Sequence, residues 1–347
     1  MSIDYPCSYD LLQPIIQNGR FKNPWPTNHR FPSFVDLLQW KMQRARPICG
    51  CNREHSAGPY LVPNFKYALS LAVKHGLSAI WLGHSTVLVN YANGTFLTDP
   101  ILSLTCSPFS FCGPKRISPL PCSVDELPAL DAILISHNHY DHLDLPTVRA
   151  LINRFGPDLT WFVPSGLKSW FSNLGKVTVK ELTWNEETAF ETRRGESFRV
   201  VCLPSQHWSM RSIFDRDQSL WCSWAVIGAK RRFFFAGDTG YCPAFKVIGN
   251  LHGPFDLSAI PIGCYEPRWF MQYQHVDPEE ALQIHKDLRS RASLGIHWGT
   301  YAMGSHEHPT EPPCKLAAAA KREGLENAFV TLAQGETWKP ANESNAG

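Results

Sequence analysis

Ser136-His137-Asn138-His139-Tyr140-Asp141-His142-Leu143-Asp144 packs four potential metal-binding side chains, His137, His139, Asp141 and His142, into six residues. Neutral imidazole and carboxylate suit zinc-like cations. His137 and His139 alternate and can share one ion, while Asp141 and His142 are adjacent and can turn to a second. One His-x-His pair would read as an exposed loop, but the full pattern directly behind an apolar run reads as a metal site. Three more candidates lie just past apolar runs. His207 follows Arg199–Leu203 and Pro204-Ser205-Gln206, Asp238 follows Phe233–Ala236, and His297 follows Leu294–Ile296. Singly, these would be core histidines and a turn aspartate. Together they stand where a strand-end cluster needs them. Two cations roughly 3.5–4 Å apart can share a hydroxide, and zinc brings the pKa of its water near neutral, so the chemistry expected is hydrolysis.

The elements that must position these groups are legible in part. Ala79–Leu82, Thr86–Tyr91 and Thr95–Thr98 read as strands, with Asn93-Gly94 as a hairpin turn. Ala132–Ser136, Val177–Leu182, Arg199–Leu203, Ser223–Gly228, Arg232–Ala236 and Leu257–Ile262 read as further strands, and Leu145–Phe155 as a helix. Asp277 as N-cap, Pro278 at N1 and Glu280 at N3 start another helix, with Ala281, Ile284, His285 and Leu288 on one face. This order predicts an α/β fold of two sheets with helices outside. Residues 1–70, rich in Pro and Asn with a helical patch at Phe34–Met42, read as an N-terminal arm packed on a core domain spanning 71–340, with 341–347 a tail. His84, in the loop after the first strand, reads as a histidine supporting the site from behind.

Composition narrows the partners. The chain has 347 residues, with 33 Lys+Arg against 31 Asp+Glu, a net charge of +2, and this argues against a protein holding nucleic acid through bulk charge. At 18% charged and 12% aromatic residues it is no disordered chain. Neither a secretory signal nor a run long enough to cross a bilayer is visible, so membrane contact is expected to be peripheral. The 11 cysteines lack CxxC spacing, and reduced thiols in the cytosol are the expected reading.

His-x-His-x-Asp-His, a distant His, Gly-Asp-Thr and a final His together resemble the metallo-β-lactamase superfamily, whose fold is an αββα sandwich with two metals at the sheet edge. Gly19-Arg20-Phe21, Asn23-Pro24-Trp25-Pro26-Thr27, Trp81–Thr86, Ser136–Asp144, Phe233–Phe245, Pro261-Ile262-Gly263, Tyr265–Phe270, Gln274–Ala281 and His297–Thr300 are similar to one branch, N-acylphosphatidylethanolamine-hydrolysing phospholipase D. The resemblance implies two zinc ions per chain. His137, His139 and His207 would hold one, Asp141, His142 and His297 the other, and Asp238 would bridge them. It implies attack of a metal-bridging hydroxide on phosphorus, releasing N-acylethanolamine and phosphatidic acid. By the same resemblance Asp141 and Asp238 would be the catalytic carboxylates, and the leaving group's proton would come from a metal-bound water or Asp238. Asp99 resembles the family's buried acid that orients a ligand histidine. Tyr140, inside the metal loop, is expected to reach the substrate, and Gln274 and His275 to contact its amide and acyl portion. Where relatives carry a histidine lining the site, this chain carries Gln334.

A lipid substrate requires a surface that meets the bilayer. Trp161, Phe162, Leu167, Trp170 and Phe171, with Lys168 among them, are the sequence candidates. Arg193-Arg194 and Lys230-Arg231-Arg232 are candidates for holding anionic lipid. The resemblance also implies a homodimer, and the expected location is the cytoplasm, peripheral to intracellular membranes. A lactonase or another phosphodiesterase stays open, because fold and metals do not fix substrate. A nuclease would need a clear basic track. A non-catalytic lipid-binding protein would lack ligands, whereas all seven positions are filled.

Overall fold

The structure, a computed structural model, describes residues 13–25, 34–44, 58–109 and 112–340. The expected tail, Pro26-Thr27, Cys49 and Cys51 lie outside the described residues. β1 (Ile15–Gln17) and β2 (Arg20–Lys22) form an antiparallel hairpin, and α1 (Phe34–Arg44) follows. α2 (Phe65–His75) starts on Asn64, whose side chain accepts from Tyr67 N, and ends at Gly76 with φ 80. β3 (Leu77–Gly83), β4 (Thr86–Tyr91) and β5 (Thr95–Thr98) make an antiparallel meander. β6 (Ala132–Leu134), α3 (Leu145–Phe155), β7 (Thr160–Pro164), α4 (Lys168–Phe171) and β8 (Thr178–Leu182) extend it with parallel strands.

The second half repeats the plan. β9 (Glu187–Glu191), β10 (Ser197–Leu203), β11 (Ser223–Ile227) and β12 (Arg232–Phe235) are antiparallel. Then come α5 (Ala244–His252), β13 (Leu257–Pro261), α6 (Arg268–Met271), α7 (Pro278–Asp287), β14 (Ser293–Ile296), α8 (Glu311–Arg322) and β15 (Phe329–Val330), whose strands run parallel. β16 (Thr337–Trp338) returns to pair with β3. The two seven-stranded sheets have the orders β16-β3-β4-β5-β6-β7-β8 and β15-β14-β13-β12-β11-β10-β9.

Period-two alternation sorts the side chains. Ala79, Trp81, Val87 and Val89 enter the core shared with Val200, Cys202, Trp224 and Phe233 of the other sheet. Ile80, Leu82 and Leu88 face the opposite way, onto Ala68 of α2 and Val148, Leu151 and Ile152 of α3. α5, α7 and α8 pack on the second sheet's side, through Ile248, Ala281, Ile284, Leu316 and Ala319. The architecture is αββα, as the sequence suggested. The boundary expected at residue 70 falls inside α2, which packs on β3 and β4.

The sequence candidates for membrane contact are corrected here. Trp161, Phe162 and Phe171 are 0% exposed and Leu167 is 3% exposed. β7 is an interior strand, between β6 and β8, covered on both faces. Trp161 therefore packs under the helices and Phe162 between the sheets, while Leu167 and Phe171 join Trp161's cluster, with Trp170 partly buried against it. Trp and Phe in a run signal burial here, and the run is a strand plus a short helix. The arginine pairs are also occupied. Arg193 reaches Leu130 O and Asp131, Arg231 reaches His75 O and Asp256, and Arg232 reaches His252 O. These contacts tie strand ends and turns together, while the Arg193 and Arg194 side chains remain exposed to solvent.

Candidate metal centre

β3, β5 and β6 run in one direction in their sheet, as do β10, β12 and β14 in theirs. The carboxyl ends of these strands deliver His84, Asp99 and the 137–142 loop from one sheet, and His207, Asp238 and His297 from the other. His84, Asp99 and His297 have φ of 50, 29 and 62, backbone in the left-handed region that non-glycine residues rarely adopt. The two sheets are stitched at the site: His297 N donates to His84 O at 2.9 Å, and His84 N to Thr300 Oγ1 at 2.6 Å. Gly237 precedes Asp238 at φ 61, where an added Cβ would lie 2.6 Å from Ser136 Cβ. Only glycine lets the two ligand loops approach this closely.

Two adjoining clusters result. In the first, His139 Nδ1 lies 2.8 Å from His137 Nε2 and 3.2 Å from His207 Nε2. In the second, Asp141 Oδ2 lies 3.5 Å from His142 Nε2, 3.6 Å from His297 Nε2 and 3.0 Å from His84 Nε2. Asp238 sits between: Oδ2 is 3.1 Å from His142 Nε2 and 3.9 Å from His207 Nε2, and Oδ1 is 3.2 Å from His297 Nε2. His142 Nε2, His297 Nε2 and Asp238 Oδ1 are buried without a hydrogen-bond partner. Unsatisfied buried groups are costly, and a cation at their meeting point would satisfy them together. The donor set of neutral nitrogens and carboxylate oxygens fits divalent metal ions.

The tautomers are fixed from behind. His142 Nδ1 is 2.6 Å from Asp99 Oδ2, and His207 Nδ1 is 3.0 Å from Gln274 O, so each ring turns its Nε2 to the cluster. Asp99 also accepts from Ser136 N at 2.7 Å and from Ser136 Oγ, and that hydroxyl lies 2.9 Å from His137 Nδ1. One carboxylate thus steers a ligand in each cluster. Burial holds His207, His275 and His84 neutral, with pKa values pushed down to about 3, and His139 to about 4. Burial also disfavours charge on His297, but the neighbouring Asp238 and Asp141 outweigh it and lift the group to about 9. Asp141 and Asp238 sit well below the usual carboxylate range, the cost of burial being overcome by the His142 charge first.

The other sequence candidates for the site lie around these clusters, with Gln334 as the exception. His275 is buried, its Nδ1 3.9 Å from Asp238 Oδ2. Gln274 accepts from Trp208 Nε1 at 2.7 Å through its side chain. The Tyr140 hydroxyl donates to Arg211 O at 2.8 Å, which leaves its oxygen an acceptor. His84 contacts Asp141 and belongs to the same group of close-set donor atoms as Asp141, His142 and His297. Gln334 does not face the cluster. Its amide accepts from Ser118 Oγ and donates to Pro119 O, each at 2.6 Å, tying β16's approach to the 118–119 segment. Sequence reading missed Ser136, Trp208 and Arg211. Trp208 stands edge-on to the His139 ring at 4.4 Å, and its adjacency to His207 was the available signal.

Comparison with known proteins agrees with this geometry. The beta-lactamase superfamily domain matches residues 95–298. Over 275 residues the chain is 48% identical to N-acyl-phosphatidylethanolamine-hydrolyzing phospholipase D 1 of Caenorhabditis elegans, covering 77% of each protein. It is 38% identical over 260 residues to the mitochondrial N-acyl-phosphatidylethanolamine-hydrolyzing phospholipase D of Saccharomyces cerevisiae, covering 74% of this chain and 54% of that one. Among solved structures, the metallo-beta-lactamase fold protein YhfI of Bacillus subtilis superposes with a TM-score of 0.52 at 17% identity, covering 76% of this chain and 99% of that one. With this fold, these strand-end clusters and these relatives, the chain belongs to the N-acyl-phosphatidylethanolamine-hydrolysing phospholipase D family of the beta-lactamase superfamily.

Proposed function

We propose that this chain hydrolyses N-acylphosphatidylethanolamine to N-acylethanolamine and phosphatidic acid, using two zinc ions. The observation that carries the reading is the pair of His/Asp clusters joined by Asp238 at the strand ends, in a chain similar to proteins named for that reaction. His137, His139 and His207 would hold one ion, Asp141, His142 and His297 the other, and Asp238 both. Bound there, the metals supply Lewis acidity toward a phosphodiester and a water of lowered pKa. The chain's own residues do the rest. Asp99 and Gln274 O fix ligand tautomers. His275, buried and neutral, can present an N–H to a substrate oxygen without adding charge. Tyr140 and Gln274 line the approach.

Lipid access is proposed to be peripheral, with no spanning helix needed: among the described residues no helix is long and apolar enough to cross a membrane. α1 supports this. Val35, Leu38 and Met42 are 69%, 44% and 69% exposed and share one helical face. Trp40 of the same helix stacks on Phe270 with ring centroids 5.5 Å apart, and Phe270 lies in α6, just ahead of Gln274 and His275. An apolar stripe is thereby set beside the site. A homodimer on intracellular membranes is part of the same proposal and rests on the family resemblance.

The test is chelation. The metal-loaded chain is incubated with N-acylphosphatidylethanolamine vesicles, with and without chelator, and its metal is counted. Chelator-sensitive release of both products with near two zinc ions per chain is expected. Two metals with no lipid cleavage would move the substrate to a lactone or another phosphodiester.

A further inference from the structure

We propose that Arg211 is a positioning residue that braces the metal-ligand loop from outside. Its Nη1 donates to Asn138 O at 2.9 Å and to Leu143 O at 2.7 Å. Those two carbonyls flank His139, Asp141 and His142, so one cationic group spans the shoulders of the segment carrying three ligand candidates. Within the segment, His142 N and Leu143 N both turn back to His139 O, at 3.1 and 2.8 Å. The shoulder carbonyls therefore take their bond from Arg211.

The guanidinium is itself held on several sides. It lies over the Tyr140 ring, 4.1 Å from its centroid, with the Trp170 ring centroid at 5.3 Å. Tyr140 returns the contact by donating to Arg211 O. Asp215 Oδ1 accepts from Arg211 N at 3.0 Å and Ser212 N at 2.8 Å, fixing the turn from which the side chain extends. A planar, charged donor is what this slot selects. It stacks on a ring and donates to two carbonyls at once, bonds stronger than neutral ones, and a lysine cannot reproduce the flat stack. Removing it leaves two carbonyls short of a donor and frees the segment to relax, spreading the ligand atoms it carries.

The inference rests on the metal reading of the cluster and not on the lipid substrate, so its test is metal binding. Metal-free wild-type, Arg211→Met and Arg211→Lys proteins are titrated with cobalt(II) against a competing chelator, following the visible absorption of the bound ion. Arg211→Met keeps the bulk and loses the donors. It should bind at least one cobalt ion about 10–100-fold more weakly, the usual cost of losing a group that supports ligands, with an altered spectrum. Arg211→Lys, which keeps the charge and is the variant to use should the methionine protein fail to fold, should show a smaller loss with the same spectral change. Wild-type affinity and spectrum in either folded variant would overturn the brace. Wild-type protein taking up no cobalt would overturn the metal reading instead, and the two failures are distinct.

Discussion

Asp99 concentrates the argument at the scale of single residues. Its carboxylate accepts from His142 directly and reaches His137 through Ser136. Asp99→Asn keeps the size and loses the negative acceptor. Zinc affinity measured by chelator competition should fall about 10–100-fold, and an unchanged affinity would remove Asp99 from its role. Protonation offers a second check, on the metal-free chain. His84, His139, His207 and His275 are depressed by burial to about 3 or 4 from 6.5. Unfolding therefore takes up protons below pH 6.5, and stability falls as pH drops through that value. His297, lifted to about 9, and His142, raised by the same carboxylates against the cost of burial, act oppositely. Their contribution is complete below 6.5, and that of His297 is lost as pH rises through about 9. The stability maximum in a denaturant series should lie near pH 6.5, and a protein more stable at pH 5 or at pH 9 than at pH 6.5 would contradict these assignments. The ligand candidates were readable because each follows an apolar run directly. Arg211 was not, because its partners are backbone carbonyls: Asn138 lies 73 residues away in the chain.

At the scale of elements, most strands that are apolar and bounded by turns were legible, β7 being the exception. β4, β5 and α3 fall where expected to the residue. α7 carries the anticipated capping box, with Asp277 accepting from Glu279 N and Glu280 N. α5 was not anticipated, and Gly249 in its middle is one reason. Its Cβ would lie 1.9 Å from Asp287 O, so close packing against α7 overrides a poor helix former. β7 was misread because aromatic residues suit both a bilayer interface and a two-sided core. The structure separates the two. Trp161→Glu on β7 places a charge in the core and should unfold the chain, or destabilise it by more than about 4 kcal/mol. The double variant Val35→Glu, Met42→Glu on α1 should fold normally, sediment less with vesicles, and lose turnover on vesicles but not on a soluble short-chain substrate. Equal loss on both substrates would assign α1 a structural role.

For the whole molecule, two sheets pack face to face and the strand ends of both contribute to the centre. Neither half holds all of the ligand candidates. The first gives His137, His139, Asp141 and His142, and the second gives His207, Asp238 and His297. The shared core of Trp81, Val87, Val89, Trp224 and Phe233 therefore sets the spacing of the chemistry as well as the stability of the fold. The eight cysteines among the described residues are free. The central claim is hydrolysis at phosphorus, and isotope tracing tests it most directly. The zinc-loaded chain is given N-acylphosphatidylethanolamine vesicles in water enriched in oxygen-18, and both products are weighed by mass spectrometry. The account predicts one heavy oxygen in the phosphate of phosphatidic acid and none in N-acylethanolamine. Heavy oxygen in the N-acylethanolamine, or products cut elsewhere in the headgroup, would contradict it.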